Sequence, residues 1–437
     1  MSCQTSWRRL PIYVAVSGSI PISMLPIDQQ DRPTRLIRLL FYGFVFLLPF
    51  ETAGEGWLEP TTIIGALLCL STLFQPGLFL RWPPRGFWCF LVYLYLFVTI
   101  SAMEPEQYRR LTILNVFLLI QLTVLCWIAY NVMRDGRVAE KAFLTFAGGC
   151  VLLAALQVTG IASRPVDADA AIIRMTALGF HPNNLARILM LGLLATIGLT
   201  YGRAKSLLRP LAISWPFIIL IGAALIQTGS RGGLLALVAG LMTLVLRRGT
   251  NSSKLLNAAA LLLVVGFLFL AALQSDVMRA RFEETVEEGD LARREQIYPA
   301  AWEMFQEKPL LGWGPITSTY ELGTRLGHPD EETKNPHNLI LFGLVSTGLI
   351  GSLPLFAGIA LATLSAWKMR HGPQGILPLA MMVAVLIANM SGVWLFNKLH
   401  WLVMAYALAS AYHTVPAKSP LLLTRSKPAE LDNFATA

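Results

Sequence analysis

The sequence predicts an all-α polytopic membrane protein of about twelve transmembrane helices, with one large folded loop on the non-cytoplasmic side. Three observations carry this. The chain of 437 residues is 55% hydrophobic and only 14% charged, where soluble domains carry about 25% charged residues. Its mean hydropathy is +0.57, and its apolar residues gather in long runs joined by short basic connections. Between Gln274 and His337 the composition inverts: 13 of the 26 Asp and Glu lie from Asp276 to Glu332, beside Arg279, Arg281, Arg293, Arg294, Lys308, Arg325 and Lys334. A connection that long is functional or disordered more often than structural. Its helix-like patterning and two tryptophans predict a folded loop over 274–337 resting on the membrane domain.

Taken in order, residues 1–35 form a cytoplasmic arm. Pro11 to Pro26 is weakly apolar, but Ser17, Gly18, Ser19, Pro21 and Ser23 interrupt it, and no cleavage site for a secretory signal is convincing. A helix needs about 20 apolar residues to cross the hydrocarbon core. The expected spans are 36–50, 60–79, 86–102, 111–133, 141–161, 184–201, 207–227, 232–246, 255–273, 338–367, 375–396 and 399–413. The first and eighth are short, and the tenth is long enough to tilt or to extend beyond the bilayer. The membrane domain is therefore 36–413, and the Pro-containing segment 414–437 is a cytoplasmic tail.

The short connections orient these spans. With the N-terminus in the cytoplasm, Arg81 and Arg85, Arg134, Arg137 and Lys141, Arg203, Lys205 and Arg209, Arg247, Arg248 and Lys254, and Lys368 and Arg370 all fall inside, as the positive-inside rule requires. Both termini are then cytoplasmic. The net charge of +9 is explained by these scattered connections, so membrane lipids rather than nucleic acid are the expected partner. Cys69, Cys89, Cys126 and Cys150 lie in apolar runs and none lies in the polar loop, so no disulfide framework is implied. The non-cytoplasmic side collects Arg109-Arg110, the 164–184 connection, Gln227 to Gly233 and the whole loop.

Four constellations on that side carry chemistry. In Gln227-Thr-Gly-Ser-Arg231-Gly-Gly233, an arginine stands between two apolar spans among glycines. It is either an interfacial anchor or an anion ligand, because the glycines admit a bulky anion and the next helix offers free N–H groups and a positive dipole end. Arg293-Arg294 heads a segment running through Tyr298 and Trp302 to Pro309-Leu-Leu-Gly312-Trp-Gly314; two adjacent arginines on a loop helix also suit a solvated face. In Pro336-His337-Asn338, the histidine meets the membrane surface. It is a structural hydrogen-bond partner or a proton acceptor whose ordinary pKa near 6.5 suits neutral pH. In Gly179-Phe-His181-Pro-Asn183-Asn184-Leu-Ala-Arg187, His181 and Asn183 are secondary candidates, and either asparagine would also cap the sixth span. Asn338 is a further secondary candidate. Asp167-Ala-Asp169 is a D-x-D triplet of the kind that holds a divalent metal, but nothing near it in sequence supplies further ligands, so no metal site is expected.

In this order, Gly179 to Ala186, Ser230-Arg231-Gly232, Arg293/Arg294 to Gly314, and His337-Asn338 followed by Gly348-Leu-Ile-Gly351 resemble the O-antigen ligase and polymerase superfamily, over roughly Leu36 to His413. The resemblance implies a GT-C-type glycosyltransferase of the bacterial inner membrane, working at the periplasmic face without cofactor or metal. Its donor is a glycan on polyprenyl (undecaprenyl) diphosphate. By the same resemblance, Arg231 and either Arg293 or Arg294 are linked to the donor diphosphate, and His337 to activation of the acceptor. Many members carry a carboxylate shortly before the Gly-x-x-Gly; here Ser346-Thr347 stand there.

A diphosphate is already a good leaving group. Such an enzyme must hold it, neutralise its developing charge and orient an acceptor hydroxyl, which suits the permanently charged, bidentate arginine fork. Direct attack inverts the anomeric centre. The first expectation is ligation to lipid A–core, in lipopolysaccharide biosynthesis. The alternatives are polymerisation onto another carrier-linked repeat and, outside enzymes, a polysaccharide transporter or flippase, which would show buried charges or broken helices near the bilayer midplane.

Overall fold

The computed structural model describes residues 32–51, 59–161, 163–166, 174–203, 208–246, 251–287, 293–327 and 333–412. Most of the N-terminal arm, Asp167, Asp169 and the tail lie outside them.

Each apolar run read as a span overlaps a helix or a helix pair. The helices are α1 Arg35–Leu47, α2 Pro60–Thr72, α3 Pro76–Phe79, α4 Arg85–Ser101, α5 Arg109–Met133, α6 Gly136–Val158, α7 Pro182–Arg203, α8 Leu208–Gln227, α9 Arg231–Leu244 and α10 Asn251–Gln274. They continue with α11 Asp276–Glu287, α12 Arg294–Glu307, α13 Thr317–Arg325, α14 Leu339–Lys368, α15 Leu377–Asn389 and α16 Lys398–Ser410. The run 60–79 divides into α2 and α3 ahead of Pro76, where proline opens a new helix without needing its missing N–H. The run 375–396 stops at Asn389, because the Asn389 side-chain oxygen accepts from the Trp394 N–H at 2.9 Å and closes a turn. Capping defines other starts: Thr34, Asp135, Ser230, Asn338 and Asn397 each accept a backbone N–H from the first turn of the helix they precede.

Among the described residues four helices can cross a membrane by length and composition: α5 with the turn before it, α6, α7 to Leu199, and α14. A fifth appears if α10 and α11, which meet at 84° across Ser275, form one bent span. The remaining apolar helices are shorter. One element was not expected from the sequence. Within the 164–184 connection, β1 Ser163–Val166 and β2 Arg174–Ala177 pair antiparallel, Ser163 opposite Ala177.

Inside the bundle, α16 is buried along almost its whole length, and α7 is nearly as enclosed. Between lipid-bathed helices there is no hydrophobic drive to associate, so close packing of small residues takes its place. Gly192 of α7 lies against Cys150 of α6, and Gly240 of α9 against Leu194 of α7; a Cβ on either glycine would stand 2.5 and 2.6 Å from its neighbour. α9 packs on α15, α4 on α14 and α5 on α16.

The polar loop is folded. Ile297, Ala301 and Met304 of α12 and Leu322 of α13 form a small core with Val345 of α14. The Trp313 indole donates to the Met304 carbonyl at 2.8 Å. Arg325 holds Glu307 through two bonds (2.8 and 2.6 Å) and Glu321 through a third at 2.8 Å, and Lys308 stands 3.6 Å over the Trp313 ring. The hydrogen bonds to Arg325 lower the Glu307 pKa below the usual carboxylate range.

Candidate functional site

The loop is keyed into a break in α14. Gly348 leaves the helix with φ 60 and ψ −167, a conformation open essentially only to glycine. This frees backbone groups that the Pro309–Gly314 segment takes up. Trp313 and Gly314 donate their N–H groups to the carbonyls of Val345 (2.8 Å) and Ser346 (2.9 Å), while Leu349 and Ile350 donate to Pro309 (2.8 Å) and Leu310 (3.1 Å). A side chain on Gly312 would meet the Val345 carbonyl at 2.6 Å, and one on Gly348 would overlap the backbone of Leu310. The two glycine motifs of the sequence are thus two halves of one joint. Ser346 and Thr347, where a carboxylate stands in many similar chains, are fully buried and donate back to the Phe342 and Gly343 carbonyls within α14.

A second joint fixes α13. The Glu104 carboxylate, just past α4, accepts the N–H groups of Ile316 (2.7 Å) and Thr317 (2.8 Å) with one oxygen, and the Thr112 hydroxyl (2.8 Å) with the other. A carboxylate at a helix N-terminus satisfies orphan donors and meets the positive end of the dipole. Tyr108 stacks on Tyr320 beside it, ring centroids 4.6 Å apart.

At the same end of the bundle, α8 turns into α9. Gly229 takes φ 63, Ser230 caps α9 through the Gly233 N–H, and Arg231 is the first residue of the helix. The Arg231 guanidinium donates to the carbonyl of Arg281 on α11. The turn is clamped from the hairpin: buried Arg174 donates to the Thr228 carbonyl and to the Asn183 side-chain oxygen, both at 2.9 Å. Asn183 therefore serves Arg174, and Asn184 serves Arg187 at 3.1 Å. Neither asparagine caps α7; the His181 ring does, its Nδ1 accepting from the Asn183 N–H at 3.2 Å. That bond leaves the proton of neutral His181 on Nε2.

The two loop arginines part company. Arg293 is exposed, in the left-handed conformation at φ 60. Arg294 is half-buried and reaches into the bundle, donating to the Ser391 carbonyl at 3.1 Å. One turn on, Tyr298 donates its hydroxyl to the Met390 carbonyl at 3.0 Å. The turn after α15 gathers further groups. Gly232 abuts Ser391, a Cβ on it standing 2.5 Å from the Ser391 hydroxyl, and the Arg187 guanidinium lies directly on Gly392. This 390–392 turn was hidden in the sequence inside an apolar run.

His337 also carries a left-handed backbone, φ 51. Its N–H is held by the Asn335 side chain at 3.0 Å, and among the described residues its ring makes no hydrogen bond. The tie between loop and helix is made next door: the Asn338 side chain accepts the N–H groups of Ile340 (2.8 Å) and Leu341 (3.3 Å) to start α14. The His337 pKa lies below the usual 6.5, first because burial penalises the cation, then through the charges of Arg294, Arg187, His181 and Lys334. A lowered pKa favours the neutral ring, the form that accepts a proton. Among the described residues no group of three His, Cys, Asp or Glu is placed to hold a metal ion; the Asp167/Asp169 pair lies outside them.

The arrangement is thus a cationic surface of arginines over helix ends, with a neutral imidazole at its edge, suited to holding an anion and accepting a proton. Residues 216–356, from within α8 into α14, match a family model described as O-antigen ligase. The chain is also 28% identical over 362 residues to an O-antigen ligase of Pseudomonas aeruginosa, covering 80% of this chain and 83% of the relative.

Proposed function

We propose, from its similarity to O-antigen ligases, that the chain is a membrane glycosyltransferase of that superfamily and transfers a glycan from a polyprenyl diphosphate to lipid A–core. The membrane domain crosses the bacterial inner membrane twelve times, in a GT-C-type arrangement with both termini cytoplasmic, and works at the periplasmic face. The observation that carries this reading is the placement of Arg294 and the neutral imidazole of His337 at the end of the bundle where Arg231 opens α9.

The reaction follows from those groups. An acceptor hydroxyl oxygen attacks the anomeric carbon from the face opposite the carrier, forming the new glycosidic bond and inverting the centre. The bond from that carbon to the diphosphate oxygen breaks, and the electron pair leaves with the diphosphate. The hydroxyl proton passes to a ring nitrogen of His337. Arg231 and Arg294 hold the diphosphate as its charge grows, by charge-assisted hydrogen bonds; no metal takes part. His181 and Asn183 shape the floor of the site, and Asn338 sets the start of α14.

The test is the glycan phenotype of a strain lacking this chain. Carrier-linked polymer that accumulates without being attached to lipid A–core is the expected result. Attachment of single repeats only would overturn the ligase reading in favour of a polymerase.

A further inference from the structure

Arg187 stands at 5% exposure in α7, between the fully buried Leu185, Ala186 and Leu189. A buried charge is costly unless paired. Its one hydrogen bond runs to the neutral amide of Asn184 at 3.1 Å, and its guanidinium lies 5.9 Å from the Trp394 ring centroid. Among the described residues no carboxylate pairs with Arg187 or with Arg294. The two guanidinium groups instead share one dipeptide. Arg294 binds the Ser391 carbonyl, and Arg187 lies on Gly392 so closely that a methyl group there would overlap it. The Nε of Arg294 is buried without an acceptor. The charge of Arg294 bears on Arg187, and both bear on His337. Two like charges brought together with neutral partners only, beside a donor left unsatisfied, form a site that an anion completes.

We propose that Arg187 and Arg294 together hold a phosphate group at Ser391–Gly392, making Arg187, the last residue of the Gly179 to Arg187 constellation, an anion-binding residue. The proposal rests on the glycosyl-transfer reading for its ligand, the diphosphate of the donor. A membrane-lipid headgroup phosphate offers the same chemistry. Gly392 is what lets the guanidinium lie flat on the backbone. A purely structural Arg187 would support the fold equally with and without an anion. An anion-binding Arg187 strains the empty site and relaxes when it fills.

The test uses the purified full-length protein in phosphatidylcholine nanodiscs, with inorganic pyrophosphate as the probe. Binding is followed by calorimetry, and the thermal midpoint is measured with and without probe. Arg187→Gln is expected to weaken pyrophosphate binding at least tenfold, to unfold no earlier than the wild type without probe, and to lose most of the probe-induced rise in midpoint. Gly392→Ala displaces the guanidinium without deleting it and is expected to weaken binding as well. Wild-type affinity in both variants would overturn the proposal, as would absence of pyrophosphate binding by the wild type. A lowered midpoint for Arg187→Gln with affinity unchanged would make Arg187 structural. A midpoint rise with phosphatidylglycerol that needs Arg187, and none with pyrophosphate, would overturn the diphosphate assignment in favour of a headgroup. Arg187-dependent pyrophosphate binding in a chain whose deletion leaves ligation intact would sink the ligase reading and spare the clamp; intact ligation by Arg187→Gln at wild-type rate and affinity sinks the clamp alone.

Discussion

The Leu310 carbonyl lies against the Cα of Gly348, in the gap where α14 breaks, and accepts the N–H of Ile350 at 3.1 Å. No side chain fits at Gly348, and its φ of 60 with ψ −167 is closed to other residues. Gly348→Ala is therefore expected to unseat the Pro309–Gly314 segment. Limited proteolysis of the variant in nanodiscs should cut within 293–327 at least tenfold faster than in the wild type, with glycan transfer largely lost. Wild-type resistance would show that the joint tolerates a side chain.

His337 separates catalysis from folding. His337→Ala is expected to lower transfer by about 10²–10⁴, the range of a general base, with unchanged membrane insertion. His337→Asn and His337→Gln should be equally impaired, because an amide replaces a hydrogen bond but is a poor base, and Asn338 already ties loop to helix. In vitro transfer from a purified carrier-linked donor measures this. Wild-type turnover by either amide variant would sink the base assignment.

The pH profile follows from the lowered pKa of His337. Only the neutral ring accepts a proton, so the rate falls on the acid side, and the midpoint of that fall should lie below 6.5. Removing a facing charge by Lys334→Gln should move the midpoint upward, towards the ordinary histidine value, in kcat/KM measured from pH 4.5 to 8. A midpoint that stays fixed would mean that Lys334 does not act on the titrating group.

The two adjacent arginines should respond differently. Arg293→Gly keeps the left-handed backbone at no steric cost and removes an exposed side chain, so transfer should stay within about twofold of wild type, whereas Arg294→Ala and Arg231→Ala should abolish it. Arg231→Lys should restore little, because lysine keeps the charge without the planar fork. Equal losses at 293 and 294 in the same transfer assay would contradict the division.

The topology is open to labelling. Single cysteines near Glu287 and Tyr320 should react with an impermeant thiol reagent in intact spheroplasts, and one near Thr250 should not. Labelling at Thr250 alone would overturn the orientation.

The helices were legible because long apolar runs have few other uses, and each run overlaps a helix. Arg231, Arg293, Arg294 and His337 were singled out as candidates through the residues around them. The meaning of those residues was not legible. Gly312 reads as a loop glycine and Gly348 as a glycine of the tenth span, and their backbones are in fact apposed. Arg174 and Glu104 were passed over because their partners lie 54 and more than 200 residues away. Ser391 and Gly392 were masked by the apolar run containing them, and the different exposure of Arg293 and Arg294 follows from backbone conformations that a dipeptide does not announce.

The break in α14 also sets a height. The twenty residues from Leu349 to Lys368 measure about 30 Å as a helix, the thickness of the hydrocarbon core. If they fill it, the nine residues from Leu339 to Thr347 stand beyond it and raise His337 by up to roughly 13 Å, at or past the headgroup layer. A carrier lipid reaches that level with its diphosphate and first sugar, while its polyprenyl chain stays in the bilayer. The acceptor need not leave its own leaflet either, provided its receiving hydroxyl sits several sugars out from its lipid end. A short glycolipid, whose hydroxyls lie at the membrane boundary, falls beneath the imidazole. Distance from the membrane, as much as sugar identity, then selects what this chain modifies.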